Sequence, residues 1–424
     1  MWKKPWNLKE GFVIGGGLVA TGLLLQATMG GINWQLFSWP ANMVALAAVL
    51  VLVAGMHVLR NKVYAFRFMS TFSAAIPAMS YVALLTIIMG LTRQLAPSTA
   101  ADAGEGSLVG VLGFSRMLSN WAFVLAYLWM TVILGLEVLK QTARRMFSFS
   151  FLFHLGLFVV LLTATLGNAD MRRLKMVVGG DAPEWRALDD NGQVAELPLA
   201  IQLKKFQIVE YMPKLMLVDN LTGKPLGDGN NPDMLQVELD SGSVARKPLF
   251  TGQLGGWTIE LLEFIDCAQP VVSEDTTFYR VWQQTGATTA VFLRARNAAK
   301  AIDRAGWLTN GSYLFPPQAL SLADGVSLVM PEREPQRFVS RVEILTESGR
   351  HVETDILVNK PFAIEGWKIY QLNYDTQKGR WSDISILELV RDPWLPYVYI
   401  GIILMLLGAV GMFITSNRRK NVQP

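Results

Sequence analysis

Three histidines are the residues of this chain best suited to chemistry, and two of them stand in apolar runs: His57 in Met56-His57-Val58 and His154 in Phe153-His154-Leu155. A neutral imidazole offers a lone pair that can ligate a metal, haem iron included. An ionisable group inside a membrane span is costly and marks a functional candidate by default. His57 lies three residues before Arg60, so it can equally snorkel to an interface. His154 sits a turn or more inside its run, beside Phe151, Phe153, Leu155 and Phe158. Its type and place leave two readings open, an iron ligand or a helix–helix hydrogen bond. Glu137 is the only carboxylate well inside the fourth helix, near its cytoplasmic end, and Lys140 or Arg144 can pair with it at helical spacing.

The rest of the chain offers little else for catalysis. His351 follows a turn and reads as a surface histidine, and Asp181, Glu184, Asp189 and Asp190 beside Arg186 read as a solvated loop. The single cysteine, Cys267, excludes a disulfide framework, a four-cysteine zinc site and the CxxCH attachment of a c-type haem. It reads as a small packed hydrophobe. No Gly-x-Ser-x-Gly, His-Glu-x-x-His or phosphate loop is present.

These candidates must be positioned by membrane helices. Of 424 residues, 51% are hydrophobic and 17% charged, which excludes a disordered chain and an ordinary soluble enzyme. Six uncharged apolar runs, at about 11–30, 40–59, 71–91, 118–136, 149–167 and 396–415, are each long enough to cross a bilayer. Pro77 in the third is tolerable in a bundle. Gly15, Gly16, Gly17 and Gly22 in the first predict close helix packing. Twelve basic residues flank one set of ends: Lys3, Lys4, Lys9, Arg60, Lys62, Arg67, Lys140, Arg144, Arg145, Arg418, Arg419 and Lys420. The opposite short loops hold only Arg93 and Arg116. The positive-inside rule then puts both termini in the cytoplasm and 168–394 outside the cytoplasmic membrane. Trp34, Trp39, Trp121, Trp394 and Tyr397 fall at the outer ends of spans, where amphipathic rings favour the interface.

Between the fifth and sixth runs, short strand-like stretches recur, among them Leu199–Glu210, Trp257–Phe264, Val339–Leu345, Trp367–Leu372 and Ile384–Val390, with turn signals between them. Residues 296–325 suggest a short helix and a loop. The expected fold is an α+β membrane protein: a six-helix transmembrane bundle with an extracytoplasmic, mainly-β, sandwich-like domain. The division is 1–167 for helices one to five, 168–394 for the β-rich domain, and 395–424 for helix six and a cytoplasmic tail.

Three stretches resemble a known family. One is Phe153-His154-Leu155-Gly156-Leu157 followed by Leu166-Gly167 and a basic exit. The second is Val358-Asn359-Lys360-Pro361, Glu365-Gly366-Trp367-Lys368-Ile369-Tyr370-Gln371 and Tyr374-Asp375. The third is Arg391-Asp392-Pro393-Trp394-Leu395-Pro396-Tyr397-Val398 with Gly401 and Leu406-Leu407-Gly408. Their order over about 118–420 resembles ResB-type cytochrome c biogenesis proteins. The resemblance implies System II haem delivery at the cell inner membrane: haem b moved outward with a CcsA-type partner, and apocytochrome c presented for thioether formation. It implies a chain that is not catalytic alone but part of a cytochrome c synthase complex. It also implies that His154 matches the family's membrane haem ligand. The chain departs from fused forms in lacking a Trp-Asp dipeptide and the tryptophan-rich haem-holding segment, so a separate partner is needed. Helices one to three exceed a minimal ResB protein, which leaves the role of His57 open. Trp367, Tyr370 and Tyr374 near the last span offer a docking surface or a strand core. Two rival functions remain: a quinol-oxidising electron-transfer subunit with His57 and His154 clamping one b-type haem, and a receptor or scaffold without haem. No nucleic-acid partner is expected.

Overall fold

The computed structural model describes residues 2–95, 108–145, 148–228, 231–239, 248–274, 276–323 and 325–420. Among them, helices α1 (Leu8–Met29), α2 (Ala41–Leu59), α3 (Tyr64–Met69), α4 (Phe72–Leu91), α5 (Leu108–Val111), α6 (Trp121–Arg145) and α7 (Phe149–Gly167) precede the β strands, and α8 (Leu395–Lys420) follows them. Six of these, α1, α2, α4, α6, α7 and α8, are long and apolar enough to cross a membrane. The protein is therefore a multi-pass membrane protein, as the apolar runs require. α6 is the central helix: 56% of its span is buried, against at most 33% for any other, and it packs on α1, α2, α4 and α7.

Small residues set how closely the helices approach. A Cβ on Gly22 of α1 would lie 2.3 Å from Ala122 Cα of α6, and one on Gly15 would meet the Tyr81 ring at 2.4 Å. The glycines of the first span thus pack within the bundle, except Gly17, whose Cβ position meets nothing within 4 Å. The closest pair is α7 with α8. Gly156 faces the Gly401 carbonyl and the Met405 amide, each 2.5 Å from where its Cβ would be. Gly408 abuts the Phe153 amide at 2.4 Å on the same criterion.

Outside the helices the chain is antiparallel β. The strands are β1 (Arg172–Gly179), β2 (Glu184–Leu188), β3 (Val194–Glu210), β4 (Lys214–Asp219), β5 (Gly227–Asp228), β6 (Asn231–Pro232) and β7 (Met234–Gln236). Then come β8 (Phe250–Leu254), β9 (Trp257–Ser273), β10 (Thr276–Val281), β11 (Thr288–Asn297), β12 (Ile302–Thr309), β13 (Leu320–Ala323) and β14 (Val326–Val329). The last are β15 (Pro335–Thr346), β16 (His351–Leu357), β17 (Phe362–Ile364), β18 (Trp367–Tyr374) and β19 (Ile384–Arg391). Two cores result. One eight-stranded sheet, ordered β16-β15-β3-β2-β1-β19-β18-β17, curls until β15 and β16 meet β18, enclosing Met176, Ile201, Ile344, Trp367 and Leu389. The second is a sandwich of β10-β9-β11-β12 with β8 against β13-β14-β4-β7, around Leu217, Ile259, Leu293 and Leu328.

The sandwich expectation therefore holds for one core, while the other is a single sheet closed on itself. The helix expected in 296–325 is absent among the described residues: β11 turns back into β12 through 298–301, because the Ala-rich stretch is a turn between two paired strands. The stretch taken for a solvated acidic loop holds β2, and Glu184 there pairs with Arg186 at 2.9 Å.

Candidate functional site

Ser148 starts α7 by accepting the Phe151 amide at 3.1 Å, which sets His154 more than one turn inside the helix. The His154 Nδ1–H donates to the Ser150 carbonyl, four residues back, at 2.6 Å. That bond selects the tautomer: in the neutral ring Nε2 carries the lone pair. Among the described residues Nε2 has no hydrogen-bond partner. The ring is half-buried and meets Phe153 edge-on at 5.7 Å. Behind it, Gln141 lies 3.5 Å from Nδ1 and donates to Glu137 at 2.9 Å, and Glu137 accepts from Lys140 at 3.1 Å. The pairing expected for Glu137 is present. This arrangement suits an axial ligand: a fixed ring, a bare Nε2 and an aromatic neighbour.

His57 is placed differently. Its two ring nitrogens lie 3.1 and 3.0 Å from Nη1 of Arg60. A guanidinium only donates, so it engages the lone pair an iron would need. His57 and His154 share no hydrogen bond or ring contact among the described residues.

A second constellation lies in the β domain, where the two cores meet. Glu210 at the end of β3 forms an ion pair with Arg333 at 3.3 Å and accepts from Arg380 at 3.3 Å. Asp266 in β9 accepts from Arg333 at 2.5 Å and from Arg380 at 3.3 Å. Arg333 is 7% and Glu210 12% exposed at the side chain, while Asp266 is 53% exposed, so the network is buried at its Glu210–Arg333 end and open to solvent at Asp266. Burial pushes the Glu210 carboxyl up, against the pull of Arg380 and Arg333. Burial acts on Asp266 too, but the same two arginines hold it below the usual carboxylate range. Cys267 adjoins the network, 4.0 Å from Arg380, so it is half-buried beside charge and not packed purely as a hydrophobe. Burial raises its thiol.

The loop after β18 builds the exposed side of this seam. The Asp375 amide donates to Ser382 at 3.1 Å, and Asp375 accepts the Gln377 amide at 3.0 Å. This turn presents Arg380 and Trp381. The Arg380 guanidinium lies 5.0 Å over the Trp381 ring, whose Nε1 donates to the Ala287 carbonyl of the other core at 2.8 Å. A cavity of about 320 Å³ opens here, lined by Glu332, Lys378, Trp381, Tyr313 and Asn310 among others. Sequence reasoning missed this network, since its members are distant in the chain; the only local signal was the turn-forming Asp375.

The aromatic docking surface expected from Trp367, Tyr370 and Tyr374 does not form as a unit. Glu365 and Gly366, with φ 48° and 82°, make the two-residue turn between β17 and β18. The register that follows turns Trp367 into the core at 2% exposure, and Tyr374 stacks on Phe206 at 5.1 Å. Gln371 is also inward, bonded to Ser340 and Ser385, and joins the two sides of the curled sheet. His351 is an exposed strand residue paired with Glu343.

The two parts of the molecule are joined at Asp170. Its carboxylate accepts from the Trp39 amide at 2.7 Å, Asn42 Nδ2 at 2.6 Å and Trp394 Nε1 at 2.7 Å. Burial raises this carboxyl, but the three donors outweigh it and hold it below the usual range.

The fold and its joints define a class: a six-span membrane protein carrying a large antiparallel β domain between its last two spans. Residues 324–383, which contain Arg333, the Trp367 hairpin and the Asp375–Trp381 loop, match the ResB-like family. The similarity to that family covers this segment of the β domain. No curated protein matches it in sequence.

Proposed function

We propose that this chain is the ResB-like component of a haem-delivery and cytochrome c assembly complex in the cell inner membrane, with residues 168–394 on the periplasmic side. Haem b is its cargo, a CcsA-type protein its membrane partner, and apocytochrome c the client of its β domain. The observation that carries the haem reading is the fixed tautomer of His154, which leaves Nε2 bare in an apolar, aromatic setting. His154 would hold one axial position of the iron, and the partner would hold the other. A clamp of one haem by His57 and His154 is disfavoured, since Arg60 engages His57. The client would dock at the seam cavity, whose residues Glu332 and Lys378–Trp381 lie in the family-matched segment.

The test is the absorption spectrum of the complex purified with its partner. His154→Ala should lose haem at normal protein level, and added imidazole should restore part of it by filling the vacated position. His57→Ala should keep haem. Full haem and full cytochrome c maturation in His154→Ala would refute the ligand role.

A further inference from the structure

A cavity of about 780 Å³ lies where the β domain meets the spans. Its lower wall is made of span residues, Met43 and Leu46 of α2, Thr163 of α7 and Tyr397 of α8. Its upper wall carries Arg172, the first residue of β1, and Arg391, the last of β19. These two arginines are direct partners in the β1–β19 register. Like charges directly opposite each other on one sheet face repel. One residue inward, Arg173 lies opposite Val390 and is neutralised diagonally by Glu388 at 3.5 Å. Among the described residues neither Arg172 nor Arg391 has a carboxylate within 4 Å. Arg391 has only the Trp367 ring, 5.9 Å away. The acid that shares the cavity, Asp170, feels the charge of Arg172 but takes its hydrogen bonds from Trp39, Asn42 and Trp394.

We infer that this cavity is a binding site for an anionic phospholipid of the leaflet on the β-domain side. The phosphate sits between Arg172 and Arg391, each guanidinium offering a forked pair of donors suited to phosphate oxygens. The acyl chains run down the wall of span residues, at hydrocarbon depth. Trp39 and Trp394 sit at the level where amphipathic rings and headgroups meet. Two arginines against one aspartate leave a net positive charge, so a net negative headgroup is preferred over a zwitterionic one, which brings its own cation. A free phosphate would leave the apolar half of the cavity unused. This inference stands apart from the haem reading.

The experiment uses the full chain, stripped of lipid in mild detergent, with native mass spectrometry of retained phosphatidylglycerol against phosphatidylcholine. The wild type should prefer phosphatidylglycerol, and the preference should fall about fivefold for each arginine replaced by glutamine. Arg172→Lys with Arg391→Lys should keep part of it. High salt should shrink the preference in the wild type, a readout that needs no variant. Equal retention of the two lipids by the wild type, an unchanged preference in the Arg172→Gln/Arg391→Gln protein, or displacement of the lipid by millimolar inorganic phosphate would each overturn the site.

Discussion

At the scale of single residues, charge placed out of water does most of the positioning. Asp170 gathers donors from three segments, and its folded-state carboxyl is held below its usual range. A depressed carboxyl contributes stability that is fully present above the unfolded-state value and lost as pH falls through the folded-state value. The joint between β domain and spans should therefore hold at neutral pH and loosen in acid, below the ordinary carboxylate range. Asp170→Asn should loosen it at every pH, since its NH2 would face donors, at about 1–3 kcal/mol. Limited proteolysis between Gly167 and Arg172 against pH reads this directly. In the Glu210–Asp266–Arg333–Arg380 network the two carboxyls move apart, Glu210 raised by burial and Asp266 lowered by the arginines. Arg333→Met leaves two carboxylates to one arginine and should cost about 3–5 kcal/mol. Adding Glu210→Gln restores the charge balance and should recover part of that, seen as the midpoint of thermal unfolding.

At the scale of elements, the α7–α8 pair governs the setting of His154. Both faces of the contact are glycine, and backbone meets backbone where Gly156 faces Gly401. Gly156→Leu has no room, and forcing a side chain into such a contact costs about 1–3 kcal/mol or more. Because Phe153, beside His154, packs its backbone on Gly408, the same change should lower haem retention along with thermal stability. Gly17→Leu is the matched control, since nothing lies within 4 Å of its Cβ position. It should leave both unchanged. Equal effects of the two variants would show that the helix pair does not govern the site.

At the scale of the whole molecule, two further outcomes are expected. A reporter at the C-terminus and one in the exposed β2–β3 turn at Gly192 should report opposite sides of the membrane. The same side for both would invert the orientation argued from flanking lysines and arginines. Deleting 168–394 while keeping the spans should abolish cytochrome c maturation in a cell that depends on this pathway. Normal maturation would remove the client-docking role of the β domain.

Much of this architecture was legible from the residues alone. Five of the six spans are legible within about three residues, and the fourth, read as 118–136, runs on to Thr142; an apolar run of bilayer length has one stable outcome in lipid. Strands β3, β9, β15, β18 and β19 are legible, in whole or in part, as apolar-rich runs between turn signals. Short edge strands such as β8, β10 and β17, and the interior strands β1, β2 and β14, are not legible, because partner strands decide whether they form. His154 stood out as an intramembrane imidazole, but its tautomer depends on where the Ser150 carbonyl points. That His57 is engaged by Arg60 was visible as a spacing of three. What only the tertiary structure decided is every grouping across long separations: Asp170 with Trp394, Arg172 with Arg391, and Glu210 and Asp266 with Arg333 and Arg380. Periodicity specifies which face of a strand or helix is buried. It carries no information on which distant strand will lie opposite, and that pairing is set by the packing of whole sheets and by the cost of leaving a buried charge unmatched.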